Sequence, residues 1–94
     1  DSLEELTLKH NRESFFYATT KGKNIYTDMK YFDNCFIVFG KETKGLPIDL
    51  LSKNWDRTIR IPMKKGIPRS LNLANSVNIV LFEGLRQIGF PGLE

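Results

Sequence analysis

Ninety-four residues, 40% of them hydrophobic, supply one small domain with a single sheet and too little chain for a second core. No apolar run approaches membrane-spanning length. The acidic start, Asp1-Ser2-Leu3-Glu4-Glu5, lacks the basic and apolar regions of a signal peptide, and the lone Cys35 excludes an internal disulfide and fits a reducing cytoplasm.

In chain order, Ser2 and Glu5 have capping-box spacing, and residues 2 to about 11 are expected to be helical, with Leu3, Leu6 and Leu8 inward and Asn11 as terminator. The chain therefore seats its first residues at the mouth of a helix and, lacking an initiator Met, reads as a piece of a longer protein. Phe15-Phe16-Tyr17-Ala18-Thr19 predicts a strand that runs into the loop Thr20-Lys21-Gly22-Lys23-Asn24. Residues 25–34 alternate poorly and predict a connecting segment with a turn near Asp33-Asn34. Cys35-Phe36-Ile37-Val38-Phe39 is apolar throughout, as in a strand covered on both faces of a parallel sheet. Pro47 opens a short helix through Leu50 and Leu51. Thr58-Ile59-Arg60-Ile61 is a further strand, stopped by Pro62.

The last helix has the clearest pattern. Ser70 is its candidate N-cap; Leu71, Ala74, Val77, Asn78, Leu81, Phe82 and Leu85 follow helical spacing, and Gly89, Pro91 and Gly92 end it. Strands alternating with helices predict an α/β fold with a parallel sheet and right-handed crossovers, the whole of 1–94 forming one domain or part of one.

Two loops carry the chemistry. Phe39-Gly40-Lys41-Glu42-Thr43-Lys44-Gly45-Leu46-Pro47 follows an apolar strand, and its glycines let the backbone turn sharply and approach a ligand. In the second, Pro62, Gly66 and Pro68 stiffen a turn that delivers Arg69 and Ser70 to a helix N-terminus, where N–H groups and a hydroxyl suit a polar ligand edge. Capping is the simpler role for Ser70, and one residue can do both. The net charge of +3 is unevenly spread: Arg57, Arg60, Lys64, Lys65 and Arg69 lie in a stretch, 57–82, that holds no Asp or Glu. Arg57, Lys64, Lys65 and Arg69 are the candidates for contacting a nucleic-acid phosphate backbone, with a solvated basic loop as the plain alternative; Arg60, inside a strand, also suits a structural ion pair.

The two loops at this separation, followed by Asn72-Leu73-Ala74-Asn75-Ser76-Val77, resemble motifs two and three of the SPOUT superfamily of RNA methyltransferases. The similarity is greatest to the small branch that 2′-O-methylates the wobble ribose (cytidine or uridine) of certain tRNAs. F-G-K-E-T-K-G-L-P resembles that branch's F-G-x-E-T-x-G-L-P; I-R-I-P-M and R-S-L-N-L-A-N-S-V resemble its I-R-I-P-M and S-M-N-L-S-N. Phe82 to Gly92, F-E-G-L-R-Q-I-G-F-P-G, resembles the ending Y-E-A-x-R-Q-L-G-Y, and Ala18 to Gly22 also match. The resemblance covers almost all of the chain. The family's opening strand and helix, with an N-T-G-N-I-x-R segment whose Arg is usually assigned to activating the ribose hydroxyl, has no match here. Phe82 also stands where the family often has Tyr.

The resemblance implies a deep C-terminal trefoil knot, with S-adenosyl-L-methionine bent within it and a homodimer packed through the last helix. Carried over position by position, Ala18, Gly40, Ile61, Ser70 and Leu71 are the expected cofactor contacts. Ser70 and Asn72 are candidates for orienting the acceptor hydroxyl, and equally for capping and packing. Glu42 is expected to hold its loop. The implied reaction transfers a sulfonium methyl to a ribose 2′-hydroxyl of tRNA in the cytoplasm, with no metal and no membrane. A chain without the first motif is expected to be inactive by itself. A cofactor- or RNA-binding module without catalysis, and a methyltransferase of ribosomal RNA, are the alternatives. His10 is too isolated for a ligand or base, Cys35 is expected in the core, and Trp55 either covers the short helix or offers a ring to a base.

Overall fold

The computed structural model describes residues 5, 8–40, 45–63 and 73–93. Four strands, β1 (Phe15–Ala18), β2 (Asn24–Ile25), β3 (Phe36–Phe39) and β4 (Thr58–Arg60), form one sheet in the order β2-β4-β1-β3, and every pairing is parallel. Helices α1 (Ile48–Lys53) and α2 (Leu73–Gln87) accompany them, with single 3-10 turns at Arg12–Ser14, Tyr26–Asp28 and Trp55–Arg57. Glu5, Leu8 and Lys9 are helical as the sequence predicts, but Leu8, expected inward, is 87% exposed. The α/β class and parallel sheet expected from sequence are present.

β1 is central because its residues are apolar on both faces. Phe15, Phe16 and Tyr17 are all buried. Phe16 faces Ile59, Tyr31 and Val80, with Ala18, Ile37, Phe39 and Ile61 packed against that cluster. On the other face Phe15 stacks on Phe36 at 4.9 Å, and His10 tilts onto Phe36 at 4.7 Å. His10 thus covers an aromatic surface. Cys35 packs against the main cluster as expected, although the strand itself begins at Phe36.

β2 is a strand where the sequence predicts loop and connection. Asn24 pairs with Ile59 and Ile25 with Arg60. Period-two patterning has nothing to grip in a two-residue strand; what holds it is β4 and polar side chains. Asn24 donates through Nδ2 to the carbonyls of Asp56 (3.1 Å) and Thr58 (3.0 Å), and the Lys23 N–H donates to Thr58 Oγ1 at 2.8 Å. Arg60, a candidate for an ion pair, instead donates through Nη1 to the carbonyls of Gly22 (2.8 Å) and Lys23 (2.9 Å).

The link between β1 and β2, residues 19–23, crosses the backbone of β4. The Thr19 N–H donates to Ile59 O at 2.9 Å, and a Cβ on Gly22 would lie 2.6 Å from both the carbon and the oxygen of the Ile59 carbonyl. Only glycine fits there. Parallel neighbours ordinarily need a dozen or more connecting residues to return to the starting edge. The return is unnecessary here, because Ala18 and Asn24 both sit level with Ile59.

α2 packs on the Phe16 face, by a different side from the one its spacing suggested. Val80 is 1% exposed, whereas Leu81 and Phe82, placed on the inward stripe by sequence, are 47% and 53% exposed. The helix is apolar on two sides, so periodicity does not choose between them. The choice falls to specific contacts along Val80, Gly84 and Gln87, one helical face. Gly84 sits beside the Tyr31 side chain, and Gln87 bonds the main chain of residues 29–31. Burying Val80 contributes about 1.5–3 kcal/mol. Val80 is thus core, so any partner packed on this helix must use its other residues. The helix ends as the sequence predicts: Gly89 at φ +87° allows the Phe90 N–H to reach Leu85 O (2.7 Å) and the Gly89 N–H to reach Arg86 O (3.2 Å), a Schellman turn.

Candidate functional site at the carboxyl edge of the sheet

Because all strands run the same way, their C-terminal ends share one edge, the edge where open α/β sheets hold ligands. The register fixes who meets there. Ala18 is level with Phe39 on one side and Ile59 on the other, so Gly40 and Ile61 leave the sheet flanking the end of β1. Gly40 and Ile61 are separated by two strand spacings, about 10 Å, the breadth of a nucleoside. Ala18, Phe39 and Ile61 are each half-buried, resting on the core while keeping apolar surface at the edge. An adenine ring needs such a wall, together with strand-end main-chain groups as polar partners.

Just beyond β3, Gly40 lies close against backbone further along the chain. A Cβ on Gly40 would lie 2.2 Å from the Gly45 carbonyl carbon and 2.5 Å from Leu46 N, so residue 40 backs directly onto the Gly45-Leu46 peptide. Gly45 takes φ +65°. The sequence expects these glycines to let backbone approach a ligand; what Gly40 approaches is the backbone of Gly45 and Leu46. Glu42 lies outside the described residues, as do Lys64, Lys65, Arg69, Ser70, Leu71 and Asn72, so of the expected site residues the structure positions Ala18, Gly40, Ile61 and Arg57.

Arg57 is at the opposite, amino edge. Its guanidinium lies 4.2 Å over the Phe16 ring, and it donates through Nε to Phe15 O at 3.1 Å and through Nη2 to Glu13 O. These contacts tie β4 to the start of β1. Nearby, Arg12 pairs with Asp56 at 2.6 Å, which holds the Asp56 carboxyl below its usual range, mainly through that hydrogen bond. Trp55, on the same edge, is 46% exposed.

The E-G-L-R-Q segment forms a clamp that the sequence did not announce. Glu83 accepts from Arg86 Nε (2.8 Å) and Nη2 (2.9 Å) and from Gln87 Nε2 (2.8 Å), in that order the causes that lower its pKa. Gln87 also donates through Nε2 to Met29 O and accepts through Oε1 from the Tyr31 N–H, both at 2.8 Å. The Tyr31 hydroxyl donates to Tyr26 O at 2.5 Å, and burial pushes its pKa up. The available signal was Gln87 itself, a polar residue on the Val80 face. Among the described residues no group of three His, Cys, Asp or Glu is placed to hold a metal ion, and no helix is long and apolar enough to cross a membrane.

Comparison with known proteins follows the same lines. The model of the SpoU rRNA Methylase family matches residues 1–82. Relatives bearing the name tRNA (cytidine(34)-2′-O)-methyltransferase, several provisionally, are 41–47% identical. One from Listeria innocua is 46% identical over 96 residues, covering 99% of this chain and 56% of that protein. A Bacillus anthracis crystal structure, provisionally named an RNA methyltransferase, superposes with a TM-score of 0.87 at 39% identity, covering 100% of this chain and 60% of that one. An rRNA methyltransferase from Sinorhizobium meliloti, solved with S-adenosylmethionine bound, gives a TM-score of 0.67 at 28% identity, covering 89% of this chain and 33% of that one. The chain spans about half the length of the curated relatives it matches.

Proposed function

The chain belongs to the SpoU rRNA Methylase family, and from that membership we propose that the protein containing it methylates the 2′-hydroxyl of a tRNA wobble ribose, with S-adenosylmethionine as donor. The observation that carries the reading is the convergence of Ala18, Gly40 and Ile61 at one edge of the parallel sheet.

In this reading Ala18, Gly40 and Ile61 bind the cofactor, joined by Ser70 and Leu71. Half-buried Phe39 and Ile61 exclude water from one face of the adenine. Bound S-adenosylmethionine supplies a methyl on a sulfonium, already electrophilic without a metal. The protein's task is therefore alignment of the acceptor hydroxyl and removal of its proton. Ser70 and Asn72, at the start of the segment leading into α2, are proposed to orient that hydroxyl. Lys64, Lys65 and Arg69 are proposed to hold RNA phosphates, with Arg57 supporting the sheet more than the nucleic acid. The Arg that activates the hydroxyl in the resembled family has no counterpart here, so this chain is proposed to provide the cofactor half of the site.

Three finer features belong to the same reading: a C-terminal trefoil knot, action in the cytoplasm, and a homodimer. The exposed Leu81 and Phe82 on α2 support the dimer, since adjacent large apolar side chains on one helix face are what a partner covers. Ribosomal RNA is the second substrate reading, favoured by the family's own description.

Calorimetry with S-adenosylhomocysteine on the 94-residue chain tests the cofactor assignment; binding is expected, and Gly40→Val, which drives side-chain atoms into Gly45, is expected to abolish it. Methyl transfer from radiolabelled donor to unmodified tRNA is expected to be far below that of a complete relative. No binding by a folded wild-type chain overturns the cofactor site, and full transfer by the chain alone overturns the division of labour.

A further inference from the structure

Trp55 is the single tryptophan of the chain, and it is 46% exposed without being loosely held. Its carbonyl accepts from Thr58 Oγ1 at 2.7 Å and from the Thr58 N–H, which closes the 3-10 turn. The preceding residue, Asn54, is buried and donates through Nδ2 to Leu50 O at 2.9 Å, fixing the turn to the end of α1. A large ring on a backbone pinned at both sides is a rigid platform, not a frayed side chain.

Charged residues lie on either side of it in the chain. The Arg12–Asp56 pair neutralises itself. That leaves exposed Lys53, two residues before the ring, and exposed Lys23, whose N–H donates to the same Thr58 hydroxyl that bonds the Trp55 carbonyl. Neither lysine has a carboxylate within ion-pair distance among the described residues. An exposed aromatic ring with exposed lysines on its own segment and on the residue leading into β2 matches a nucleobase with its flanking phosphates, because stacking takes the base while the lysines take the backbone. A protein partner would be expected to meet a broader apolar surface than one ring among charges.

We infer that Trp55, with Lys53 and Lys23, is a second RNA contact at the amino edge of the sheet, stacking an unpaired base of the substrate RNA. The inference rests on the RNA-methylating reading above and extends it to the edge opposite the cofactor, about 10–13 Å away along the strands. It gives the chain a hold on RNA that is independent of the basic segment at Lys64, Lys65 and Arg69.

The test is fluorescence anisotropy of the whole chain with a labelled single-stranded RNA of about ten nucleotides, read beside the emission of Trp55 itself. The wild type is expected to bind and its emission to be quenched. Trp55→Ala is expected to weaken binding at least about fivefold with an unchanged salt dependence, and Trp55→Phe to lose less. Lys53→Ala is expected to flatten the slope of log affinity against log salt by about 0.7, the signature of one lost phosphate contact on a single strand. Circular dichroism checks that each variant is folded. RNA binding with unaltered Trp55 emission, or with equal affinity for Trp55→Ala, overturns the stacking site while leaving the RNA reading intact and assigns the ring to a protein partner. No RNA binding by the wild type overturns both, and calorimetry with S-adenosylhomocysteine then shows whether the cofactor half survives.

Discussion

Replacing Gln87 by Ala should loosen the C-terminal half of α2 from the sheet. The side chain makes two main-chain bonds, to Met29 O and from the Tyr31 N–H, and a third to Glu83. Each main-chain bond contributes about 0.5–1.5 kcal/mol net, and leaving a half-buried partner unsatisfied adds to that, so the loss should be about 2–4 kcal/mol. For a domain of this size that is a fall in Tm of about 8 °C or more. Urea unfolding followed by circular dichroism measures it. Gln87→Glu adds a sign test. One oxygen can still accept from Tyr31, but the other meets Met29 O and the Glu83 carboxylate, so at pH 7 this variant should be less stable than the Ala variant. Lowering the pH protonates the new carboxyl, which then donates to Met29 O, and the difference should narrow. Arg86→Ala should cost less than Gln87→Ala, because the Arg86 side chain is 62% exposed and Glu83, only 9% exposed, keeps Gln87 Nε2 as a donor. A loss below about 0.5 kcal/mol for Gln87→Ala, or a Glu variant insensitive to pH, would refute the clamp.

Gly22→Ala should prevent normal folding or cost more than about 4 kcal/mol, since the new Cβ meets main chain at 2.6 Å, where no rotamer can yield; near-wild-type unfolding would show that the crossing is misplaced. On α2, Phe82→Asp should shift any dimer toward monomer with the fold preserved, whereas Val80→Asp should unfold the chain. Sedimentation velocity with circular dichroism separates the two, and a folded Val80→Asp protein would overturn the packing described for that helix.

How far the sequence carried the fold depended on the length of each pattern. β1 and β3 are four-residue apolar runs, and their identity and parallel arrangement could be read directly. β2 could not, because two residues carry no period and its support comes from Thr58 and Asp56, more than thirty positions away. The face of α2 was misjudged because two apolar stripes compete on one helix. Its choice lies in Gln87, whose partners at Met29 and Tyr31 no local window contains. At the site, Ala18, Gly40 and Ile61 were legible as strand ends, and the parallel register explains why they share an edge. Arg57 shows the opposite limit: a cation in a basic stretch reads as an RNA contact until its guanidinium is found on the Phe16 ring and two main-chain carbonyls.

The crossing of residues 19–23 over β4 bears on the order in which the molecule is made. β1, the crossing segment and β2 all leave the ribosome before β4 exists. β2 pairs with β4 alone, through Asn24–Ile59 and Ile25–Arg60. Until Thr58–Arg60 arrives, β2 has no ladder to join, and β1 exposes the side that will receive Thr58 and Ile59. The nascent chain must therefore keep a slot open between two segments joined by a short link, then admit a strand made much later. Closing that distance carries the entropic cost of non-local pairing, and early collapse of β2 onto β1 would shut the slot. Asn24 opposes that collapse, since its side-chain amide finds its partners, the carbonyls of Asp56 and Thr58, only once β4 lies beside it.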